Sequence, residues 1–387
     1  MRRKAATRAA YVALADGCAP KRLEAPCLYN AATDELYELN EAGAEFIIRC
    51  DGARTLAELA PERDFLEFCL AEGLLELSPA PISRPLPPLS QAPRPSLRYL
   101  ELQLTRRCNL RCRHCYLGEP RALDLPLEAA WRAATELERM QGLRVMLSGG
   151  EPLRWPHLNA LNERLPELAL RFVLLTNGHL LSPELAGLLK VQEVQVSLDG
   201  LERGHDTLRG AGSFRRALAG LEAARAAGKQ VSVATMLHPA ALPEMDGLAR
   251  LLEGLEVFAW GIDVPVRCGR LAGAEDLWLS PEEAAPHLGR AFGGAYHGGS
   301  EGFACGLHLA TLEPGGHLLK CGFHAEPLGH LGEGLAACWA RLAPLPLEGL
   351  ECAGCEHLNE CGGGCRFRAP SPLGRDPYMC ALRGLKR

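Results

Sequence analysis

Cys108, Cys112 and Cys115 stand in the run Cys108-Asn109-Leu110-Arg111-Cys112-Arg113-His114-Cys115-Tyr116, a C-x3-C-x2-C spacing. Three thiolates in one short loop can hold a four-iron cluster and leave one iron without a protein ligand. A closed four-thiolate cluster carries electrons; a cluster with a vacant corner can also bind and activate a small molecule. A second set, Cys305, Cys321, Cys352, Cys355, Cys361, Cys365 and Cys380, crowds the C-terminal region. Its C-x2-C pair suits zinc as well as iron, and a zinc ribbon stays open on spacing alone. The chain has 16 cysteines in 387 residues, gathered in short spacings, and no apolar run of signal-peptide length follows its Arg- and Ala-rich start. That pattern favours metal ligation in a reducing compartment over disulfides.

Composition narrows the partners. Hydrophobic residues make up 47% and charged residues 23%, as in a globular protein, and the formal net charge is -5. No basic excess is available to neutralise phosphates, and runs such as Arg2-Arg3-Lys4 are short, so nucleic acid is not expected. No stretch is long enough to span a bilayer, and a cytoplasmic location is expected.

The cysteine loops need elements to hold them. From Ser96 to about Ser280 strands and helices alternate, with strands read at Tyr99–Leu104, Arg144–Leu147, Arg171–Leu175, Glu193–Ser197, Gln230–Met236 and Val257–Asp263. Amphipathic helices such as Pro126–Gln141 and Phe214–Ala227 lie between them. This alternation predicts an α/β fold with a parallel sheet, curved into an incomplete (β/α)6 barrel. Functional groups then gather at the C-terminal strand ends, where Cys108 to Cys115 fall. Upstream, short strands at Cys27–Tyr29 and Glu35–Leu39 precede helices capped by Asn40, Thr55 and Asp64, and Leu74–Leu77 returns as a strand, a winged-helix-like pattern. Prolines at 79, 81, 85, 87, 88, 93 and 95 predict an extended, semi-rigid spacer. The expected division is therefore 1–78, a linker 79–96, the barrel 97–290 and a cysteine-rich region 291–387. The last is poor in periodic segments, so metal is its expected organiser.

The loops after successive strands carry a resemblance. Gly149-Gly150-Glu151-Pro152 follows the second strand, Thr176-Asn177-Gly178 the third, and Ser197-Leu198-Asp199-Gly200 the fourth, with His205-Asp206 and Arg209-Gly210 soon after. Taken singly these are turns. In order, behind the three-cysteine loop, they resemble the radical S-adenosylmethionine (radical SAM) superfamily. The resemblance implies that Cys108, Cys112 and Cys115 bind a [4Fe-4S] cluster whose open iron chelates SAM. It further implies that Gly149, Gly150, Glu151 and Pro152 hold the methionine amino group, that Ser197 and Arg209 contact SAM, and that His114 lies beside the adenine. A 5′-deoxyadenosyl radical then removes hydrogen from an unreactive C–H bond.

The C-terminal cysteines, with Gly316 before Cys321, resemble the SPASM domain, which implies two auxiliary iron–sulfur clusters. Cys352, Cys355, Cys361 and Cys380 would hold the outer one, and Cys305, Cys321 and Cys365 the inner. No cysteine lies between Gly306 and Thr311, so the inner fourth ligand is open, with His308 and Cys268 as candidates. Cys18, Cys27, Cys50, Cys69 and Cys338 read as core residues. The Leu39-Asn40-Glu41-Ala42 turn, Asp51-Gly52 and Thr55-Leu56-Ala57-Glu58-Leu59 resemble the PqqD-like domain that recognises leaders of ribosomal precursor peptides. DNA binding by a winged helix is disfavoured by the region's acidity.

Together these resemblances imply a maturase that binds a precursor-peptide leader and oxidatively cross-links the core, through a thioether or carbon–carbon bond. A flavodoxin- or ferredoxin-type donor would supply electrons. Two alternatives stand beside it: a radical SAM maturase of a protein active site or tetrapyrrole-type cofactor, and a non-catalytic iron–sulfur scaffold.

Overall fold

Two small antiparallel sheets lead into one long mixed sheet. The computed structural model describes residues 10–87, 89–294, 297 and 302–385, so Arg2-Arg3-Lys4 lies outside the described residues. The first strands are β1 (Tyr11–Leu14), β2 (Cys18–Arg22), β3 (Pro26–Asn30), β4 (Glu35–Glu38), β5 (Asp51–Thr55) and β6 (Leu75–Ser78). They form sheets of order β5-β1-β6 and β2-β3-β4. Helices Glu41–Ile47, Leu56–Leu59 and Arg63–Ala71 pack Phe46, Ile47, Leu59 and Cys69 against Val12, Leu14 and Leu74.

Local chemistry explains these boundaries. Asn40 Oδ1 accepts from the Gly43 N–H at 2.7 Å, and Thr55 forms a reciprocal capping box with Glu58. The third helix begins at Arg63, not after Asp64; Glu62 caps it without a side-chain bond, and Asp64 lies in its first turn. Strands β1, β2 and β5 were not evident from the sequence. All three are only four or five residues long; β1 pairs with the distant β5 and β6, and β2, which carries Pro20, Lys21 and Arg22, pairs with its neighbour β3.

The proline-rich stretch is extended but not a free spacer. Arg84 pairs with Glu76 at 2.7 Å, and the Ile82 N–H bonds to Gly52 O at 3.0 Å. Gly52 has φ 80°, and a Cβ there would lie 2.0 Å from Ile82 O, so only glycine admits this contact.

The barrel strands are β7 (Tyr99–Thr105), β8 (Arg144–Gly149), β9 (Arg171–Thr176), β10 (Glu193–Ser197), β11 (Gln230–Met236) and β12 (Ala259–Asp263). Each lies parallel to the next, in chain order. Outward residues such as Leu100, Leu102, Val145 and Val194 form the main core with helices including Leu127–Arg139 and Ser213–Ala226. The cysteine-rich region contributes to the same sheet: β13 (Leu309–Leu312) runs parallel to β7, and β14 (His317–Leu319) and β15 (Pro327–His330) follow antiparallel. These three strands were not expected.

The β3–β4 hairpin covers the barrel end opposite the cysteine loop. Arg171, first residue of β9, donates to Ala31 O at 2.8 Å and Ala32 O at 2.9 Å. Arg144, first residue of β8, forms a buried ion pair with Asp34, which also accepts from Tyr29 Oη at 2.6 Å. Buried Lys21 donates to Gly142 O at 2.8 Å and Ala169 O at 3.1 Å. Among the described residues no helix is long and apolar enough to cross a membrane.

Candidate active site

The barrel encloses a cavity of about 640 Å³. Cys108, Cys112 and Cys115 line one end, and Arg144 and Glu193 line the other. The cysteine loop leaves β7 and is stapled at its root: Thr105 Oγ1 donates to Asp124 at 2.5 Å and Arg107 pairs with Asp124 at 2.9 Å.

Gly149 and Gly150 press directly on that root. Their N-terminal neighbours stay in strand register, while the Gly150 N–H bonds to Thr105 O and the Glu151 N–H to Arg107 O, both at 2.8 Å. A Cβ on either glycine would lie 2.4 Å from a backbone oxygen, of Thr105 or of Arg107. Glycine is therefore required for the two loops to touch.

Glu151 is fully buried. It accepts from Thr176 Oγ1 at 2.8 Å, from the Asn177 N–H at 2.9 Å and from the Leu153 N–H at 3.1 Å. Burial raises its pKa against these donors. The side chain locks the Gly-Gly turn to the end of β9 rather than projecting into the cavity, and Pro152 opens the short 3-10 turn Pro152–Arg154 behind it. Asn177 Nδ2 reaches back to Asn109 Oδ1 at 2.9 Å.

On the opposite wall Ser197, Asp199, Arg209 and His114 meet. Arg209 pairs with Asp199 at 2.5 Å and donates to His114 Nε2 at 3.2 Å, which leaves His114 Nδ1 buried without a partner among the described residues. Burial works against the Asp199 charge, but Arg209 outweighs it and holds the carboxyl well below its usual range. Burial lowers His114 to about 3, so its ring is neutral. Sequence reasoning quoted Asp199 only within a turn motif; an acid ten residues before a buried arginine was the available signal.

Two of the thiols lie where a negative charge is disfavoured. Burial raises Cys108 to about 11 and raises Cys112 as well. Such thiols become ligands when a cation offsets the desolvation.

In the C-terminal region Cys352, Cys355, Cys361 and Cys380 line one small cavity together with Met379 and Leu358. Cys305 lies in hydrogen-bond contact with Cys365 and accepts from the Arg366 N–H at 3.4 Å; these donors lower its pKa to about 6. Cys321 is a charge neighbour of Cys305. The two candidates for a fourth inner ligand part company. His308 is buried against Ser96 O at 2.8 Å, a contact that turns it to the β7 side. Cys268 is a charge neighbour of Cys115 and Cys321. Among the described residues no group of three His, Cys, Asp or Glu side chains is close enough to share one metal ion. Cys27, Cys50, Cys69 and Cys338 are buried and Cys18 half-buried.

With this geometry in view, similarity to known proteins assigns the chemistry. The sequence profile of the Radical SAM superfamily matches residues 102–252. The mycofactocin maturase MftC of Mycobacterium ulcerans (strain Agy99) is 30% identical over 321 residues, covering 72% of this chain and 86% of that protein. The chain belongs to the radical SAM superfamily. It is a radical SAM enzyme, and the non-catalytic alternative gives way to that finding. An AdoMet-dependent heme synthase of Methanosarcina barkeri (strain Fusaro / DSM 804) is 27% identical over 75% of this chain and 98% of its own length. The fold is also that of Streptococcus suis SuiB bound to precursor peptide SuiA, with a TM-score of 0.67 at 15% identity over 95% of this chain and 99% of SuiB.

The radical SAM family implies SAM and a [4Fe-4S] cluster, and the donor set here suits both. Three thiols line one cavity, whose volume is that of a small-molecule site and which leaves room between them for a cluster rather than a single ion. The buried His114 Nδ1 has no partner among the described residues and can meet a ligand.

Proposed function

We propose that this radical SAM enzyme matures a ribosomally synthesised peptide, holding the leader on its N-terminal sheets and oxidatively modifying the core inside the barrel. The observation that carries this reading is the outer edge of β4. In the order β2-β3-β4 that strand has a partner on one side only among the described residues, and its own Tyr37 meets the exposed Phe68 edge-on at 5.7 Å. A sheet edge flanked by an apolar helix face suits an added peptide strand. Kinship with a mycofactocin maturase supports assignment as a maturase.

Cys108, Cys112 and Cys115 would hold the cluster, with the Gly149-Gly150 backbone, Ser197, Arg209 and His114 around SAM. Bound there, SAM supplies a 5′-deoxyadenosyl radical that takes a hydrogen atom from the substrate. Glu151 and Asp199 act by positioning: one fixes the glycine turn, the other orients Arg209. The barrel wall excludes water from the reacting carbon. Cys352, Cys355, Cys361 and Cys380 would hold an outer auxiliary cluster, and Cys305, Cys321 and Cys365 an inner one, receiving the second electron. The electron donor to the enzyme would be a flavodoxin or ferredoxin.

Mass spectrometry of a precursor peptide encoded beside the gene, co-expressed with the enzyme, tests this reading. Loss of two hydrogens, abolished by Cys112→Ala, is expected. A second reading, a tetrapyrrole substrate, draws on the heme synthase relative; an unchanged peptide together with SAM-dependent spectral change of added iron coproporphyrin would favour it.

A further inference from the structure

Five acidic side chains line the cavity: Glu101, Glu119, Glu193, Asp199 and Asp263. Four have cationic partners among the described residues. Glu119 pairs with Arg270 at 3.4 Å, Glu193 with Arg171 at 2.8 Å, Asp199 with Arg209 at 2.5 Å and Asp263 with Arg368 at 2.6 Å. Glu101 differs. Its carboxylate accepts from three neutral hydroxyls, Ser148 Oγ at 2.6 Å, Thr311 Oγ1 at 2.8 Å and Tyr116 Oη at 3.2 Å. No cation meets it among the described residues.

These hydroxyls come from β8, β13 and the cysteine loop, so the carboxylate is oriented from three directions but not neutralised. A carboxylate offers about four acceptor positions, and three are used. Two residues along, on the same inward face of β7, stands Gln103. Its Nε2 donates to Tyr116 Oη at 3.3 Å, which leaves Gln103 Oε1 as an acceptor buried without a partner among the described residues. Gln103 itself is 1% exposed. A charged acceptor that lines the cavity and an orphaned neutral acceptor two residues along thus stand together, both bonded to Tyr116 Oη. Desolvating such groups is costly unless a donor arrives to satisfy them.

We propose that Glu101 and Gln103 form a recognition subsite for a cationic side chain of the substrate, an alkylammonium or guanidinium as in lysine or arginine. Only the statement that this cation belongs to a peptide rests on the maturase reading above. SAM also carries a positive sulfonium, but its expected place is at the strand ends. Glu101 lies four residues inside Thr105, about 13 Å along the strand.

The test uses the cluster-reconstituted enzyme with SAM present, and small probes in place of a peptide: n-butylammonium, n-butylguanidinium, and n-butanol as the neutral control. Saturation-transfer NMR titrations compare wild type with Glu101→Gln. Both cations should bind wild type and weaken by roughly thirtyfold or more in the variant, while n-butanol is unaffected by the substitution. Cation binding within threefold of wild type in Glu101→Gln, or n-butanol binding wild type as tightly as the cations, overturns the proposal. So does cation binding seen only when SAM is omitted, which would make this the sulfonium's site. Should Glu101→Gln fail to fold, Thr311→Val removes one neutral donor and keeps the charge; cations must then bind at least as tightly as to wild type, and lost binding counts against the subsite. No peptide enters these titrations, so an unmodified precursor peptide would refute the maturase reading and leave this result standing.

Discussion

Arg209 Nε sits 2.5 Å from Asp199 Oδ2 while its Nη2 reaches His114 at 3.2 Å, so one guanidinium joins the end of β10 to the cysteine loop. Asp199 has 1% of its side chain exposed and Arg209 11%. Neither charge is independent of the other.

Replacing Asp199 by Asn leaves Arg209 buried without a counter-charge. Breaking a buried pair from one side costs about 3–5 kcal/mol, and a misdirected Arg209 weakens SAM binding by roughly 10–100-fold, as loss of an orienting partner commonly does. Calorimetric SAM titration and thermal melting of Asp199→Asn check both. Unchanged SAM affinity in a folded variant would remove Asp199 from the positioning role.

Cys112→Ala should lower iron by about four atoms per chain and abolish reductive cleavage of SAM. Iron analysis with deoxyadenosine quantification after dithionite treatment reads both. A variant that still forms deoxyadenosine would end the assignment of the three-cysteine loop.

The C-terminal thiols separate into ligands and filling. Cys380→Ala, in the small cavity with Cys352, Cys355 and Cys361, should also lose about four irons per chain and lower the melting temperature. Cys338 donates to His330 O inside the core, so Cys338→Ala should keep its full iron. Equal iron in both variants would contradict an outer cluster on those four cysteines.

The hairpin contact predicts an acid dependence. Burial pushes the Asp34 carboxyl up, but His297, Arg144 and Tyr29 overcome this and hold it below its ordinary value. A depressed carboxyl stabilises the fold above its unfolded pKa of about 3.9, and the gain is lost as pH falls through the lower folded value. Wild type should therefore lose stability steeply below about pH 4. Asp34→Asn should be about 3–5 kcal/mol less stable at neutral pH and show a flatter acid limb in urea melts. Parallel acid limbs for the two proteins would count against the ion pair.

Most of the barrel was legible because its short strands, rich in Val and Leu, recur between amphipathic helices, and the cysteine loop falls where β7 ends. The Gly149-Gly150-Glu151 turn was legible as a motif, but not the direction of Glu151, which depends on Thr176 and Asn177 from the next strand end. Strands β1, β5 and β13 escaped notice because they pair with distant strands, and β2, β14 and β15 because they are hairpin arms of three to five residues with little apolar pattern of their own. Glu101 was overlooked although Tyr99-Leu100-Glu101-Leu102-Gln103-Leu104-Thr105 alternates strictly enough to place polar groups inward. In a strand covered on both faces, that alternation is itself the sign of a hollow interior.

The hairpin under β8 and β9 has a consequence for how the molecule can be cut. Arg144 is at once a wall of the reaction chamber and the mate of Asp34 in the first eighty residues. Deleting that segment would not yield a simpler catalyst lacking an accessory. It would uncork the vessel from below, letting bulk water reach a reagent that survives only in a dry room.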